Sequence, residues 1–272
     1  MLLNCRGKLL SLTHPVVMGI LNITEDSFYD GRRYNTLEAA IKHTSDMLEQ
    51  GAKIIDIGAV STRPGAKAIS AEDEWQKLSA FITPLRKTFP LALFSVDTYR
   101  AEVARRALEE GADMINDISA GDFDSSMFDV IAKYRVPYII MHIQGTPQTM
   151  QQNPQYKDVV KDILFFFSEK IEKLNNLGIN DVIIDPGIGF GKTIKHNYEI
   201  IRNLEFFTHT AHPVLLGVSR KSLIYKLLNI SPQEALNGTT ALHTVALQKG
   251  VKILRVHDVK EAMEVIKMSE YL

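Results

Sequence analysis

The sequence predicts an α/β protein with a single domain, a (β/α)8 barrel of the TIM type. Eight short apolar segments recur along the chain, and amphipathic stretches of helical length separate them. Such alternation indicates a parallel sheet, and eight such units close into a barrel whose reactive groups lie at the carboxyl ends of its strands. The 272 residues suit one barrel, which takes roughly 250. We assign residues 1–15 to a short N-terminal extension and residues 16–272 to the barrel.

The eight predicted strands share one feature, a polar or charged residue near the point where each strand should end. In chain order they are VVMGILN (16–22), KIIDIG (53–58), LFSVDT (93–98), MINDIS (114–119), PYIIMH (137–142), VIIDPG (182–187), VLLGVSRK (214–221) and ILRVHD (253–258). Side chains alternate between the two faces of a strand, so Arg255 and His257 should share a face. Ser219 and Lys221 should share one as well. The polar strand ends predict an active site at one rim of the barrel.

Several of the predicted helices can be recognised from their spacing. RAEVARRALEEG (100–111) places Val103, Ala107 and Leu108 on one face, and Gly111 supplies a C-terminal stop. ALNGTTALHTVALQKG (235–250) is weakly polar and contains small residues, which favours an oligomer.

A longer helical stretch, residues 157–178, contains three consecutive phenylalanines, Phe165 to Phe167. Three adjacent side chains cannot all point towards one barrel. A subunit contact and a loop folded over the helix both explain them, and the sequence leaves both explanations open.

Two connections are long, polar and rich in turn-forming residues. They follow the first strand (NITEDSFYDGRRYN, 22–35) and the second (AVSTRPGAKAIS, 59–70), whereas most connections in such folds are short. Long loops at the functional rim usually act as lids or substrate clamps. A tolerated surface insertion is the alternative.

Composition excludes several classes of partner. The net charge is -1, with 31 Lys and Arg against 32 Asp and Glu, so no sequence-wide basic field exists to hold nucleic acid or an anionic membrane. No apolar run reaches the roughly 18 residues of a membrane span. The single cysteine, Cys5, cannot form an internal disulfide, which fits a reducing compartment. We expect a cytoplasmic enzyme with small-molecule partners.

The predicted rim carries two kinds of polar group. Asp97, Asn116 and Asp185 suit a flat ligand with several N–H donors, because paired carboxylate bonds to such an edge are strong and planar. Positive charge suited to a phosphate or pyrophosphate comes from Arg63, Lys221, Arg255 and His257. The glycine-rich run DPGIGFGK (185–192) lets the backbone approach a ligand closely, but it matches neither the Walker pattern nor a dinucleotide fingerprint.

Eight motifs, taken in order, resemble the dihydropteroate synthase family of the folate pathway. They are MGILNITEDSFYDG, STRPGA, SVDT, NDIS, MHIQGTPQTMQ, DPGIGFGK, GVSRKS and RVHDV, and the resemblance covers nearly the whole chain. It implies a (β/α)8 barrel that joins 7,8-dihydropterin-6-ylmethyl diphosphate to 4-aminobenzoate, forming 7,8-dihydropteroate and pyrophosphate. It also implies Mg2+, a homodimer and a target of sulfonamides, and it leaves the sensitivity of this chain to them open. An SN1-like alkyl transfer follows, because the pterin ring delocalises the cation left when pyrophosphate departs.

The resemblance also assigns roles to residues of this chain. The catalytic residues would be Asp97, Asp185 and Lys221. The pterin would be held by Asp97, Asn116, Asp185, Lys221 and Phe190. The aminobenzoate would be held by Thr62, Arg63, Pro64, Phe190 and Ser219. The diphosphate would be held by Asn22, Thr62, Arg63, Arg255 and His257, with Asn22 also binding Mg2+ as a neutral oxygen ligand.

Plainer roles for some of these residues stay open. They are a loop cap for Asp185, a core position for Phe190, a turn former for Asn22 and a solvated charge for Arg63. His142 either touches ligand or is structural, and Asp56 orients the loop or neighbouring rim residues.

The chain departs from the family pattern in its two long loops. Ala59 and Val60 stand where many members have Gly-Glu, and Arg32 stands where many have a second glycine. No proposed ligand-binding residue is lost, so an active enzyme is expected. A related pterin-binding methyltransferase gives no reason for STRPGA or for the cations at the rim. A non-enzymatic pterin-binding paralogue would have lost the diphosphate or lid residues.

Overall fold

The computed structural model describes residues 1–23, 36–60 and 69–272. A hairpin of β1 (Leu2–Cys5) and β2 (Lys8–Ser11) precedes eight strands, which are β3 (Val16–Asn22), β4 (Ile54–Gly58), β5 (Leu93–Asp97), β6 (Met114–Asp117), β7 (Tyr138–Met141), β8 (Val182–Asp185), β9 (Leu215–Leu216) and β10 (Ile253–Val256). These eight are parallel and lie in the order β8-β7-β6-β5-β4-β3-β10-β9. A parallel bridge between Ile184 and Val214 joins the two outer strands, so the sheet closes. The predicted barrel is confirmed.

Helices surround the barrel. Those within the described residues are α1 (Leu37–Glu49), α2 (Ala71–Thr88), α3 (Ala101–Glu109), α4 (Met127–Tyr134), α5 (Val159–Asn176), α6 (Ile194–Arg202), α7 (Glu205–Thr208), α8 (Ser222–Leu228), α9 (Leu236–Gln248) and α10 (Val259–Ser269). α3 buries Val103, Ala107 and Leu108 as predicted. None of the described helices combines the length and the apolar character needed to cross a bilayer.

The barrel interior changes from apolar to polar along the strands. At the N-terminal end, Met18, Ile54 and Leu93 belong to one buried apolar cluster. Two residues further along β4 and β5, the inward positions become Asp56 and Ser95, both fully buried. The strand alternation therefore places the polar side chains together at the C-terminal end of the barrel.

The N-terminal hairpin covers the opposite end. Leu3, Cys5, Leu10 and Leu12 belong to the same apolar cluster as the N-terminal layer of the barrel. Cys5 is fully buried, and burial raises the pKa of its thiol to about 12, so the thiol stays protonated. The hairpin stabilises the barrel and lies far from the polar rim.

Leu10→Ala is expected to lower the free energy of unfolding by about 2–5 kcal/mol, because it leaves a cavity beneath the barrel. Leu10 is 6% exposed, whereas its neighbour Leu9 is 69% exposed, so Leu9→Ala is a matched control with little expected effect. Urea denaturation measures both variants. Equal destabilisation by the two would contradict a sealing role for the hairpin.

The phenylalanine triplet of α5 is divided among three environments. Phe167 is 2% exposed in the core and Phe165 is 66% exposed. Phe166 packs edge-on against the His142 ring, with 5.0 Å between the ring centroids. The loop after β7 therefore accounts for Phe166, and Phe165 stays exposed on the surface of this chain.

Candidate active site

A network of hydrogen-bonded charges crosses the C-terminal mouth of the barrel. Arg255 on β10 donates from Nε to Oδ2 of Asp56 over 2.7 Å and from Nη2 to Oδ2 of Asp97 over 3.0 Å. Asn116 on β6 donates from Nδ2 to the same Oδ2 of Asp56 over 3.0 Å. Asp97 and Asn116 were predicted to bind the pterin ring, and Arg255 was predicted to bind the diphosphate. The three side chains thus lie in one site.

The surroundings of Asp97 raise the pKa of its carboxyl group towards neutral pH. Burial raises the pKa of Asp97 to about 7; the Arg255 guanidinium opposes this rise, while the charges of Asp56, Glu74 and Asp117 add to it. A carboxylate with such a pKa changes charge readily near neutral pH and is typical of a functional site.

Asp185 and Lys221 form a second part of the site. Asp185 is 6% exposed, and its Oδ1 accepts the backbone N–H of Gly187 over 2.8 Å. Burial raises the pKa of Asp185, and the nearby Lys221 ammonium opposes that rise. Lys221 donates to the carbonyl oxygen of Ile188 over 2.6 Å, and its Nζ lies 4.8 Å from the centre of the Phe190 ring. Burial lowers the pKa of Lys221 to about 8.

The predicted shared strand face of Ser219 and Lys221 is wrong. β9 ends at Leu216, and Lys221 is the N-cap residue of α8, preceded by Arg220 with a left-handed φ of 53°. Lys221 lies next to Gly217, where a Cβ would make an ordinary contact with its Nζ at 3.6 Å. A turn, rather than strand alternation, directs Lys221 into the mouth.

Lys192 fixes the glycine-rich segment after β8 by hydrogen bonds to His142 and to the segment itself. Lys192 is 2% exposed, and its Nζ donates to Nδ1 of His142 over 3.0 Å, to the carbonyl oxygen of His142 over 3.1 Å and to that of Phe190 over 2.9 Å. Burial lowers the pKa of His142 to about 2, so the imidazole is neutral and can accept. Gly187 is required here, because a Cβ would lie 2.0 Å from the His142 carbonyl oxygen. These contacts favour the structural role for His142.

Three described residues predicted to hold the diphosphate, Asn22, Arg255 and His257, lie at the ends of the neighbouring strands β3 and β10. The Ser219 hydroxyl accepts the backbone N–H of His257 over 3.3 Å. Arg220 ties the turn after β9 to the turn after β10 through two bonds to Asp258, each 2.8 Å long. Asn22 lies beside Asp97, since a Cβ on Gly58 would be 3.5 Å from the Asn22 Oδ1 and 3.8 Å from the Asp97 Oδ2.

Three predicted residues, Thr62, Arg63 and Pro64, lie outside the described residues, as does Arg32. Within residues 1–23, 36–60 and 69–272, no three His, Cys, Asp or Glu side chains gather as a metal site. Asn22 suits Mg2+ only as a single neutral oxygen ligand, the arrangement expected when phosphate oxygens and water fill most of the coordination sphere.

This chain is similar to known proteins over nearly its whole length. A family model described as pterin binding enzyme matches residues 18–257. The dihydropteroate synthase of Escherichia coli (strain K12) is 42% identical over an alignment of 272 positions, which covers 99% of this chain and 96% of that protein.

Two solved structures are also similar. A crystal structure of the Yersinia pestis dihydropteroate synthase with a sulfonamide drug complex has a TM-score of 0.95 and 41% identity, covering 100% of this chain and 98% of that one. The Xanthomonas albilineans dihydropteroate synthase in complex with 7,8-dihydropteroate has a TM-score of 0.86 and 33% identity, covering 99% and 97%.

Proposed function

Because the chain belongs to the pterin-binding enzyme family, we propose that it is a dihydropteroate synthase, joining 7,8-dihydropterin-6-ylmethyl diphosphate to 4-aminobenzoate. The observation that carries this proposal is the shared barrel mouth, where Arg255 is bonded to Asp97 and Lys221 lies beside Asp185. Acceptors for a ring with several N–H donors and cations for a departing diphosphate thus lie together at one end of the barrel. The similar Xanthomonas albilineans enzyme is in complex with 7,8-dihydropteroate, the product of this reaction.

The ring-binding step uses the deep end of the mouth. Asp185 accepts N–H donors of the aminopyrimidine edge, Asn116 bonds the same ring, and Lys221 donates to its opposite edge. Phe190 walls the channel by which 4-aminobenzoate enters, and its ring is already held against the Lys221 ammonium. These partners favour one ring orientation, because a wrongly placed ring would leave the buried Asp185 and Asn116 unpaired.

The bond-breaking step separates charge. The bond between the methylene carbon and the diphosphate oxygen breaks, and its electron pair leaves with pyrophosphate towards Arg255, His257 and Asn22. Asp97 and Asp185 stabilise the cation that remains on the pterin. The amine of 4-aminobenzoate then attacks the methylene carbon, forming the C–N bond, and the proton that the nitrogen loses passes to water. Thr62, Arg63 and Pro64, with Ser219, position this second substrate.

Arg255 can bind the carboxylates of the site and the departing pyrophosphate at the same time. A guanidinium has five N–H donors, and two of them are used by Asp56 and Asp97. The other three donors have no hydrogen-bond partner among residues 1–23, 36–60 and 69–272, and they are available to pyrophosphate oxygens. Arg255 therefore links the carboxylate that faces the cation with the group that leaves.

Mg2+ is part of the proposal. Asn22 would hold it together with oxygens of the substrate diphosphate, and the ion would offset the negative charge that develops on pyrophosphate. Pyrophosphate release that is equally fast in excess EDTA and in Mg2+ would contradict this part.

A homodimer and a cytoplasmic location are also proposed. Leu227 and Leu228 of α8 are 56% and 51% exposed, and α9 beside them is weakly polar. Leu227→Glu is expected to shift sedimentation from dimer to monomer. The single cysteine of the chain is consistent with the cytoplasm.

A coupled assay of pyrophosphate release tests the activity. The pterin diphosphate is supplied with and without 4-aminobenzoate and Mg2+, and release is expected to require both. A sulfonamide should compete with 4-aminobenzoate. Methyl transfer from a methylated folate, with no pyrophosphate release, would instead support the methyltransferase alternative.

The pH dependence of kcat/KM is expected to be a narrow bell. Asp97 acts as a carboxylate, so activity rises as pH increases through about 7. Lys221 acts as an ammonium, so activity falls as pH increases past about 8. The two limbs of a kcat/KM profile report pKa values of the free enzyme. Because Asp97 and Lys221 interact, these pKa values belong to the pair rather than to either residue alone. Lys221→Arg, if active, should lose the alkaline limb because a guanidinium stays protonated. An unchanged alkaline limb in that variant would contradict the assignment.

A further inference from the structure

We propose that Asp56, to which the reaction above gives no role, is a positioning residue that fixes the Asn116 amide and the Arg255 guanidinium for the bound ring and its diphosphate. The inference rests on the proposed function. Asp56 lies on β4, which is two strands from β6 and two strands from β10 in the sheet. Its single Oδ2 accepts from Asn116 over 3.0 Å and from Arg255 over 2.7 Å. One oxygen therefore sets the position of two groups that converge from opposite sides of the barrel.

The pairing with Asp56 decides which way the Asn116 amide points. A carboxylate paired with a guanidinium only accepts hydrogen bonds, so Asp56 takes the NH2 end of the amide and excludes its oxygen. The Asn116 Oδ1 and the second N–H are left in a fixed order for the ligand. Without the carboxylate, the amide can turn over and present these groups in the reverse order. Asp56 thereby selects the donor and acceptor pattern that the ring must match.

A second observation separates this role from a purely structural one. Asp56 Oδ1 is buried and has no hydrogen-bond partner among the described residues, and neither does Oγ of Ser95, its register partner on β5. Leaving buried polar atoms unpaired costs free energy. Asp117 on β6 shows the contrast: it is equally buried, and both of its oxygens accept hydrogen bonds. Asp56 thus leaves one buried oxygen without a hydrogen bond, whereas the structural carboxylate Asp117 uses both of its oxygens.

A double-mutant cycle tests the coupling between Asp56 and Asn116. The dissociation constant of 6-hydroxymethyl-7,8-dihydropterin is measured by calorimetry for the wild type, Asp56→Asn, Asn116→Ala and the double variant. Asp56→Asn is expected to weaken binding by at least about tenfold in the wild type and by less than about twofold in the Asn116→Ala background. An equal loss in both backgrounds would overturn the inference, because the effect would not pass through Asn116.

A separate inhibition experiment tests whether Asp56 also positions Arg255. Inhibition by inorganic pyrophosphate is expected to weaken in Asp56→Asn, and unchanged inhibition would remove Arg255 from the inference. Asp56→Ser repeats the cycle with a smaller side chain if the asparagine variant does not fold.

Asp113→Asn is the matched control, with the same substitution at a buried carboxylate that also pairs with a guanidinium, that of Arg86. Its Oδ2 accepts the Phe94 N–H over 2.8 Å, and Asp113 lies just before β6, with no hydrogen bond to Asn116 or Arg255 among the described residues. It should lower the melting temperature and leave pterin affinity within about twofold of the wild type. If the wild type neither binds the pterin nor releases pyrophosphate, the proposed function fails. If it does both and the cycle is additive, only the inference about Asp56 fails.

Discussion

Replacing Arg255 with methionine is expected to abolish measurable pyrophosphate release and to lower the free energy of unfolding by about 3–5 kcal/mol. Methionine keeps an unbranched apolar stem but removes the guanidinium, so Asp56 and Asp97 would remain buried without their cation. The departing diphosphate would lose a positive partner in the same step. Urea denaturation and the pyrophosphate assay measure the two effects separately.

The loss of stability in Arg255→Met should itself depend on pH. Without the guanidinium, the folded-state pKa of Asp97 would rise further above its unfolded value, because Arg255 is the group that now lowers it. A raised carboxyl pKa contributes stability that is complete at low pH and is lost as pH rises through the folded-state pKa. The variant should therefore lie closer to the wild type in acid than at neutral pH.

Arg105→Met is the control for this variant. Arg105 on α3 also bonds two carboxylates, those of Glu102 and Glu109, but all three side chains are at least about one third exposed. Exposed pairs of this kind are worth about 0–1 kcal/mol. A similar destabilisation by both substitutions would contradict the importance of burial at Arg255.

The barrel and much of its rim could be predicted because strand alternation is local. Asp97, Asn116 and Asp185 are polar residues at the ends of apolar runs, and each reaches the same mouth because parallel strands end at one rim. The Lys192 contacts were not predictable in the same way. Its partner His142 is 50 positions away, and the sequence indicates only that a glycine-rich run ends in lysine.

The role of Asp56 also depends on distant partners. Its hydrogen bonds reach residues 60 and 199 positions away, and such pairings follow from closure of the barrel rather than from any local pattern. The prediction for Lys221 failed for a different reason. The run VLLGVSRK predicts a strand as far as Lys221, whereas β9 ends at Leu216. The left-handed Arg220 that turns the chain there has no signal in the pattern of apolar residues, because a positive φ is uncommon for arginine.

Asp185→Asn is expected to weaken pterin binding by about 1.5–3 kcal/mol, the usual value of a hydrogen bond to a charged group, and to lower kcat further. The substitution keeps the shape of the side chain and an oxygen that can accept from the Gly187 N–H. It removes the negative charge that faces both the ring and the cation formed from it. Calorimetry with the pterin and steady-state kinetics separate the two losses.

The same substitution should move the alkaline limb of the pH profile. Asp185 is the largest of the groups that raise the pKa of Lys221 against the effect of burial. Removing its charge lowers that pKa below about 8, so activity should begin to fall at a lower pH than in the wild type. Asp181→Asn, at the opposite end of β8 and bonded to the N–H of Asn4, should leave both affinity and profile unchanged. A variant of Asp185 that melts earlier but binds pterin normally would show that this carboxylate is a cap for the following loop, and the ring would then have to be held without it.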